Sequence, residues 1–153
     1  PANRYYSFHD SSISYQYPSR HLFTSGSEIS YGFFYNGTKF SLQSRLSYRR
    51  QPIFNMSLRL NYDSIKLPEP YQARNIWLLS PKVELTFTKQ FYWTTYVQYS
   101  NQSENLGINS RLQWRFAPLS NLYLVYNDNY YTSDKIIPQV RSINLKLTYW
   151  INI

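Results

Sequence analysis

The sequence has no cysteine, no long apolar run and few glycines, and each shortage excludes a class of protein. Without cysteine among its 153 residues, the chain has no disulfide framework, no thiol nucleophile and no cysteine metal site. No run of about 18 apolar residues exists, which excludes a transmembrane helix. With only 4 glycines there is no phosphate-binding glycine loop, and neither a metal-ligand spacing nor a nucleophile elbow is present. We therefore predict no catalytic residue, no metal site and no cofactor.

Charge is also scarce, since charged residues make up only 16% of the chain against roughly 25% in typical soluble domains. Ser, Asn, Thr and Gln take their place, together with an aromatic fraction of 20% that includes 17 tyrosines. A soluble β-protein usually covers its wet face with Lys and Glu. A neutral polar face therefore indicates a protein whose outer surface does not meet bulk water.

The charge that is present is mostly positive, with a net value of +8. An excess of this size raises the question of a nucleic-acid partner. The basic residues are dispersed along the chain, however, and only Arg49 and Arg50 are adjacent. We therefore predict no nucleic-acid partner.

Apolar and polar residues alternate along most of the chain, and the alternation is clearest in the final SINLKLTYWINI, which begins at Ser142. A period of two indicates extended strands with one apolar face. No stretch has helical periodicity, so we predict almost no helix. A further strand is predicted at 12–17, within an N-terminal segment, 1–24, that precedes a barrel region, 25–153. The eight main strands are predicted at about 25–35, 38–48, 53–62, 75–88, 91–100, 106–116, 121–130 and 142–153.

These strands predict an all-β fold, an antiparallel up-and-down transmembrane β-barrel of about eight strands, closed alone or as part of a larger barrel. The connections alternate in length, as in outer-membrane barrels with short periplasmic turns and long outer loops. Long loops are predicted at 63–73, 101–105 and 131–140, and Asn36-Gly37 is predicted as a two-residue hairpin turn. The alternation predicts a location in the bacterial outer membrane with the C-terminus in the periplasm.

The apolar face of each predicted strand has aliphatic residues in the middle and aromatic residues near the ends. This distribution is typical of the two aromatic girdles of a membrane barrel, which lie at the headgroup levels. It predicts outer-membrane lipid or lipopolysaccharide as the partner of this face.

Two alternatives remain open at this point. A soluble lipocalin-like barrel with a ligand inside would have the same alternation. An enzyme carried by a barrel is the other, and its candidate residues are the only two histidines, His9 and His21. His9 is next to Asp10, but neighbours in a strand point to opposite faces, so a general-base pair would need a loop.

Seven basic residues are predicted to share the inward face, opposed by Glu28 and Glu84. A basic, porin-like lumen would favour anions or anionic glycans. The alternative is a packed interior network in which Arg111 or Arg115 pairs with Glu84 across strands. The seven predicted lumen-facing residues are Lys39, Arg45, Arg59, Lys82, Arg111, Arg115 and Lys146.

The segment NLGINSRLQWRFAPLSNLYLVYND at 105–128, followed by LKLTYW at 145–150, resembles a Bacteroidetes outer-membrane family of unknown function. FFYNGTKFSL at 33–42 and LNYDSIKLPEPY at 60–71 also fit, so the resemblance covers about 120 residues. In that family a carbohydrate-binding module of family-nine type precedes a large C-terminal barrel. The resemblance implies that the chain is the last part of a longer protein, with a glycan-related function upstream.

The resemblance also implies an assembly signal at the C-terminus, formed by Leu147, Tyr149, Trp150 and Ile153. The family usually ends in an aromatic residue, whereas this chain ends in Ile153. The chain begins at Pro1 without Met, and we expect a processed or excised form. A strand at 12–17 would make the strand count odd, although single-chain bacterial barrels usually have even counts. The partners would then include other strands of the parent barrel or another outer-membrane subunit.

Overall fold

A computed structural model of the chain describes residues 9–17 and 22–151, and within them it is entirely β. This confirms the predicted all-β, antiparallel up-and-down architecture with almost no helix. The strand predicted at 12–17 is present as β1. The nine strands are β1 (Asp10–Gln16), β2 (Phe23–Phe34), β3 (Gly37–Arg50), β4 (Phe54–Lys66), β5 (Arg74–Thr88), β6 (Phe91–Ser100), β7 (Asn105–Ala117), β8 (Ser120–Thr132) and β9 (Ile136–Thr148).

The nine strands form one open sheet in which each strand pairs only with its neighbours in the chain. Among the described residues, β1 pairs with β2 alone and β9 with β8 alone, so these two strands are the edges. Of the two forms that the sequence left open, a barrel closed by this chain alone is not observed among the described residues, where nine strands form an open sheet; a transmembrane barrel stays a prediction. We call the end of the sheet where β9 finishes the near end, and the opposite end the far end.

The pairing register separates the side chains into two faces, because directly paired residues of antiparallel strands point to the same side. On β3, Leu42 and Leu46 pair with Tyr62 and Leu58 of β4, which defines an apolar face. Gln43 pairs with Asn61 on the other side, the polar face. Both faces continue from β1 to β9, because the alternation and the register agree except at three register shifts, at 86–88, 115–117 and 129–130.

The first hairpin turn lies one residue earlier than predicted. Phe34 pairs with Gly37, so the turn residues are Tyr35 and Asn36, and Tyr35 has a φ of 54°. Gly37 is the first residue of β3 instead. A Cβ atom there would collide with the backbone oxygen of Lys66. Gly37 is needed for the close approach of β3 to β4 and not for the turn itself.

The far-end connections are shorter than the sequence indicates, because strands extend into the predicted loops. β4 continues to Lys66, which leaves a loop at 67–73 in place of 63–73. β9 begins at Ile136, so the predicted long loop at 131–140 is reduced to 133–135. β9 also ends at Thr148, whereas a strand to 153 was predicted. The near-end turns at 51–53, 89–90 and 118–119 are short, as predicted.

No second layer covers either face of the sheet. In the described part of the chain no apolar side chain is fully buried, and the buried polar residues are Ser41, Ser80, Ser120 and Asp128. Even on β5, the middle strand of the sheet, residues of the apolar face are partly exposed, for example Leu79 at 37% and Trp77 at 42%. An ordinary domain buries such a face against another layer, and no element of the described residues does so here.

Candidate functional site

All seven basic residues predicted for the inward face lie on the polar face of the sheet. Lys39 and Arg45 are on β3, Arg59 on β4 and Lys82 on β5, and Arg111, Arg115 and Lys146 occupy the same face of β7 and β9. The register adds Arg49 and Arg74, which the sequence placed in a turn and near a loop. Whether this face lines a lumen stays a prediction.

Arg45 and Arg59 lie directly opposite each other on β3 and β4. Like charges in this position repel. Neither side chain forms an ion pair within the described residues. Both line a polar cleft of about 490 Å³ that reaches from β1 to β4 and also contains Arg49. The arrangement suits an anion, which would relieve the repulsion between the two guanidinium groups.

A second polar cleft, of about 520 Å³, crosses β4 to β7 and is lined by Glu84 and Arg111 among others. Glu84 forms an ion pair with Lys82 at 2.7 Å and accepts a hydrogen bond from Asn55 Nδ2 at 2.6 Å. In the described part of the molecule Glu84 has no ion pair with Arg111 or Arg115. Glu84 is therefore satisfied mainly by Lys82 and Asn55, and Arg111 lines the same cleft without a direct ion pair to it.

Two bands of aromatic side chains cross the apolar face, one at each end of the strands. At the far end, Tyr62 packs on Trp77 with ring centroids 4.2 Å apart. At the near end, Phe87 packs on Phe91 at 5.3 Å and Phe116 stacks on Tyr149 at 6.2 Å. Between the bands the side chains are mainly Leu, Ile and Val.

Four hydroxyl groups within the apolar band are hydrogen-bonded to one another in two pairs. Ser27 and Ser44 approach to 3.0 Å, and Thr95 and Ser110 to 2.9 Å. Trp93 Nε1 donates to Ser110 Oγ at 2.8 Å. An unpaired hydroxyl is costly in an apolar medium, so this pairing makes the face compatible with one.

One carboxylate, Asp128, lies on the apolar face, and no role was predicted for it. Asp128 follows Leu122, Leu124 and Tyr126 on that face of β8, and its side chain is fully buried. Its Oδ2 accepts hydrogen bonds from Tyr126 Oη at 2.5 Å and Tyr130 Oη at 2.6 Å, and from Arg141 Nε of β9 at 2.9 Å. The sequence contains a signal for this cluster, because Asp128 is an acidic residue at a position where the alternation expects an apolar one. Arg141 is the only basic residue at an apolar-face position of β9. We call these four residues the Asp128 cluster.

The residues predicted as an assembly signal lie at the near end, beside the last hairpin. Leu147 is in β9, while Tyr149 and Trp150 follow it. The Trp150 backbone N–H donates to Ser120 Oγ at 3.1 Å, and Tyr149 stacks on Phe116. Ile153 lies outside the described residues.

The histidines do not assemble into a catalytic group in the described region. His9 is exposed, and its backbone oxygen accepts a hydrogen bond from the Phe33 N–H at 2.9 Å. His21 lies outside the described residues. Over 9–17 and 22–151, no cluster of three or more His, Asp or Glu side chains is placed to hold a metal ion.

No helix in the portion that the structure describes is long and apolar enough to cross a membrane.

No family model matches the sequence, and no curated protein matches it at a significant level. The resemblance to a Bacteroidetes barrel family, with its carbohydrate-binding module and its glycan link, stays a prediction.

Proposed function

We propose that this chain forms part of the wall of a bacterial outer-membrane β-barrel. Its apolar face would lie against lipid, its polar face would line the interior, and its near end would lie in the periplasm. In this role the chain is non-enzymatic and serves as anchor and pore wall. The observation that carries the proposal is a continuous apolar face, nine strands wide, that nothing in the described residues covers. A water-exposed apolar face of this extent would drive aggregation.

The spacing of the aromatic bands supports the proposal. Trp77 and Phe87 lie ten residues apart on β5. At a rise of roughly 3.3 Å per residue this separation is about 33 Å along the strand. With a strand tilt of about 40°, it becomes about 25 Å along the membrane normal, the height of the apolar band of outer-membrane barrels.

The position of the clefts argues against the soluble lipocalin-like alternative. In such a barrel the apolar side chains point inward around the ligand. Here the two large clefts, each crossing four strands, lie on the polar face. A smaller groove, of about 320 Å³, lies on the apolar face at Leu112, Leu122 and Leu124. The larger clefts support the proposal that the polar face is the concave, inner one.

Detergent dependence tests the membrane proposal. We expect the purified chain to be monodisperse only in detergent micelles or lipid nanodiscs, and to aggregate when the amphiphile is removed, because the apolar face then meets water. Size-exclusion chromatography with light scattering measures this. A monodisperse chain in detergent-free buffer would contradict the proposal and favour the soluble barrel.

Guanidinium groups that form no ion pair within the described residues indicate that the interior of the barrel selects anions. Arg45 and Arg59 face each other in the 490 Å³ cleft, which Glu28 also lines, and within the described residues neither arginine forms an ion pair. Cations that line a pore raise the local concentration of anions.

Reversal potentials across planar bilayers test the selectivity of a barrel that contains this chain. We expect the double variant Arg45→Ser/Arg59→Ser to lower the chloride-to-potassium permeability ratio by roughly 2-fold. Arg50→Ser is the matched control, because Arg50 is on β3 but pairs with Phe54 on the apolar face. An unchanged ratio in the double variant, or an equal effect of the control, would contradict an anion-selective interior.

A further inference from the structure

The two edges of the sheet run in the same direction. Successive strands of a meander alternate in direction, so the first and the ninth are parallel. Both β1 (Asp10–Gln16) and β9 (Ile136–Thr148) run from the far end to the near end. If β9 joined β1, the seam would be a parallel ladder in a sheet whose eight other ladders are antiparallel.

The side chains at both edges indicate a missing neighbour. On β9, Ile143 and Leu145 are each 69% exposed, whereas Leu124 on the adjacent β8 is 39% exposed. On β1, Ile13 is 78% exposed, and its partner Ile29 on β2 is 46% exposed. At each edge, the apolar residue on the outermost strand lacks the cover that a further strand would supply.

The β9 edge is also built for pairing. It is 13 residues long, and its single proline, Pro138, lies near its start, so the stretch from 139 to 148 has a complete set of backbone N–H groups. Free edges of soluble sheets are usually short, charged or interrupted by proline. In a bilayer every backbone N–H and C=O group needs a partner, so an open edge cannot remain there.

A second copy of this chain does not supply the missing pairing. Copies inserted in one orientation are related by rotation about the membrane normal, which keeps every strand direction. β9 of one copy would then meet β1 of the next in parallel, and each seam would break the antiparallel ladder. An inverted copy would pair correctly, but its near-end turns would face the wrong side of the membrane.

We propose that the two edges are docking surfaces for an odd number of further antiparallel strands, contributed by another part of the polypeptide to which this sequence belongs. One such strand, or three or five, gives antiparallel seams with both β1 and β9. The total then becomes even, as in single-chain bacterial barrels. The apolar face and the antiparallel ladder would continue across both seams. This inference rests on the proposed membrane function.

Cross-linking of introduced cysteine pairs tests the inference. The sequence contains no cysteine, so only the introduced residues can react. The seam pair is Ser12→Cys on β1 with Asn144→Cys on β9, which both lie on the polar face. The control pair is Asn109→Cys with Asn127→Cys, which are direct partners on β7 and β8. A short bismaleimide is applied to the chain in detergent, and hydrogen exchange is followed in parallel.

We expect the control pair to cross-link and the seam pair to remain unlinked. Amides of β1 and β9 should exchange much faster than those of β4 to β6 in this chain alone, and should become protected in the full-length polypeptide extracted from its membrane. An intramolecular seam link would mean that the chain closes alone, and an intermolecular link would mean a ring of copies. Either result, or edges still unprotected in the full-length polypeptide, overturns the inference. Failure of the membrane proposal would be seen separately, as a detergent-free monodisperse chain.

Discussion

At the scale of single residues, the Asp128 cluster explains how the apolar face tolerates a charge. A carboxylate in an apolar environment is costly unless it is paired and hydrogen-bonded. Oδ2 of Asp128 is paired with Arg141 at 2.8 Å and accepts hydrogen bonds from two tyrosine hydroxyl groups, whereas the buried Oδ1 has no hydrogen-bond partner among the described residues. The cluster is close to neutral overall and lies toward the far end of β8, so it can be accommodated near the membrane interface.

Removing the charge of Asp128 should weaken the pairing of β8 with β9. In Asp128→Asn, Arg141 loses its counter-ion and two tyrosine hydroxyls lose a strong acceptor. We expect a clear drop in the urea midpoint of unfolding, measured by tryptophan fluorescence in detergent.

Asp63→Asn is the matched control for this substitution. Asp63 pairs with Lys39 at 3.4 Å on the polar face, and both side chains are partly exposed. Exposed ion pairs contribute only about 0–1 kcal/mol. If the two variants lost equal stability, the Asp128 cluster would have no special role in the sheet.

At the scale of strands, the sequence predicts strand identity well and strand ends poorly. The period of two is a local property, because successive side chains point to opposite faces. It therefore located β3, β6 and β7 to within a few residues. The ends depend on partners: β4 continues to Lys66 because β3 and β5 pair with it there, and no local signal records this.

The same distinction applies to the candidate site. The shared face of Lys39, Arg45 and Arg59 follows from alternation alone, so the sequence was sufficient to predict it. The direct opposition of Arg45 and Arg59 depends on the register between β3 and β4. The bond from Arg141 to Asp128 likewise depends on the register between β8 and β9. Register is a property of two strands, and a single strand's pattern does not contain it.

The connections between strands give a test of orientation. An epitope tag inserted in the loop at 67–73 should bind antibody on intact cells, because the far end is assigned to the outside. A tag inserted in the near-end turn at 89–90 should bind only after the outer membrane is permeabilised. Flow cytometry of both strains measures this, and the reverse pattern would invert the assigned orientation.

At the scale of the whole molecule, one sheet with two unlike faces accounts for the unusual composition. The polar face uses Ser, Asn, Gln and paired charges, for example Asn109 with Asn127 at 2.5 Å. The apolar face carries aromatic bands at its ends and aliphatic residues between them. A membrane wall needs both faces but no buried core, and none is present in the described residues. The proposed membrane wall would therefore account for the low charge, the high aromatic content and the lack of a buried core in the described residues.

The most direct test of this account is a cysteine scan along β4 from Asn55 to Tyr62 in lipid vesicles. Each single-cysteine variant carries an environment-sensitive fluorophore, and quenching by brominated lipid chains is compared with quenching by aqueous iodide. The account predicts lipid quenching at Met56, Leu58 and Leu60, and iodide quenching at Asn55, Ser57, Arg59 and Asn61, with a period of two. Iodide quenching at Leu58, or the absence of alternation, would contradict it.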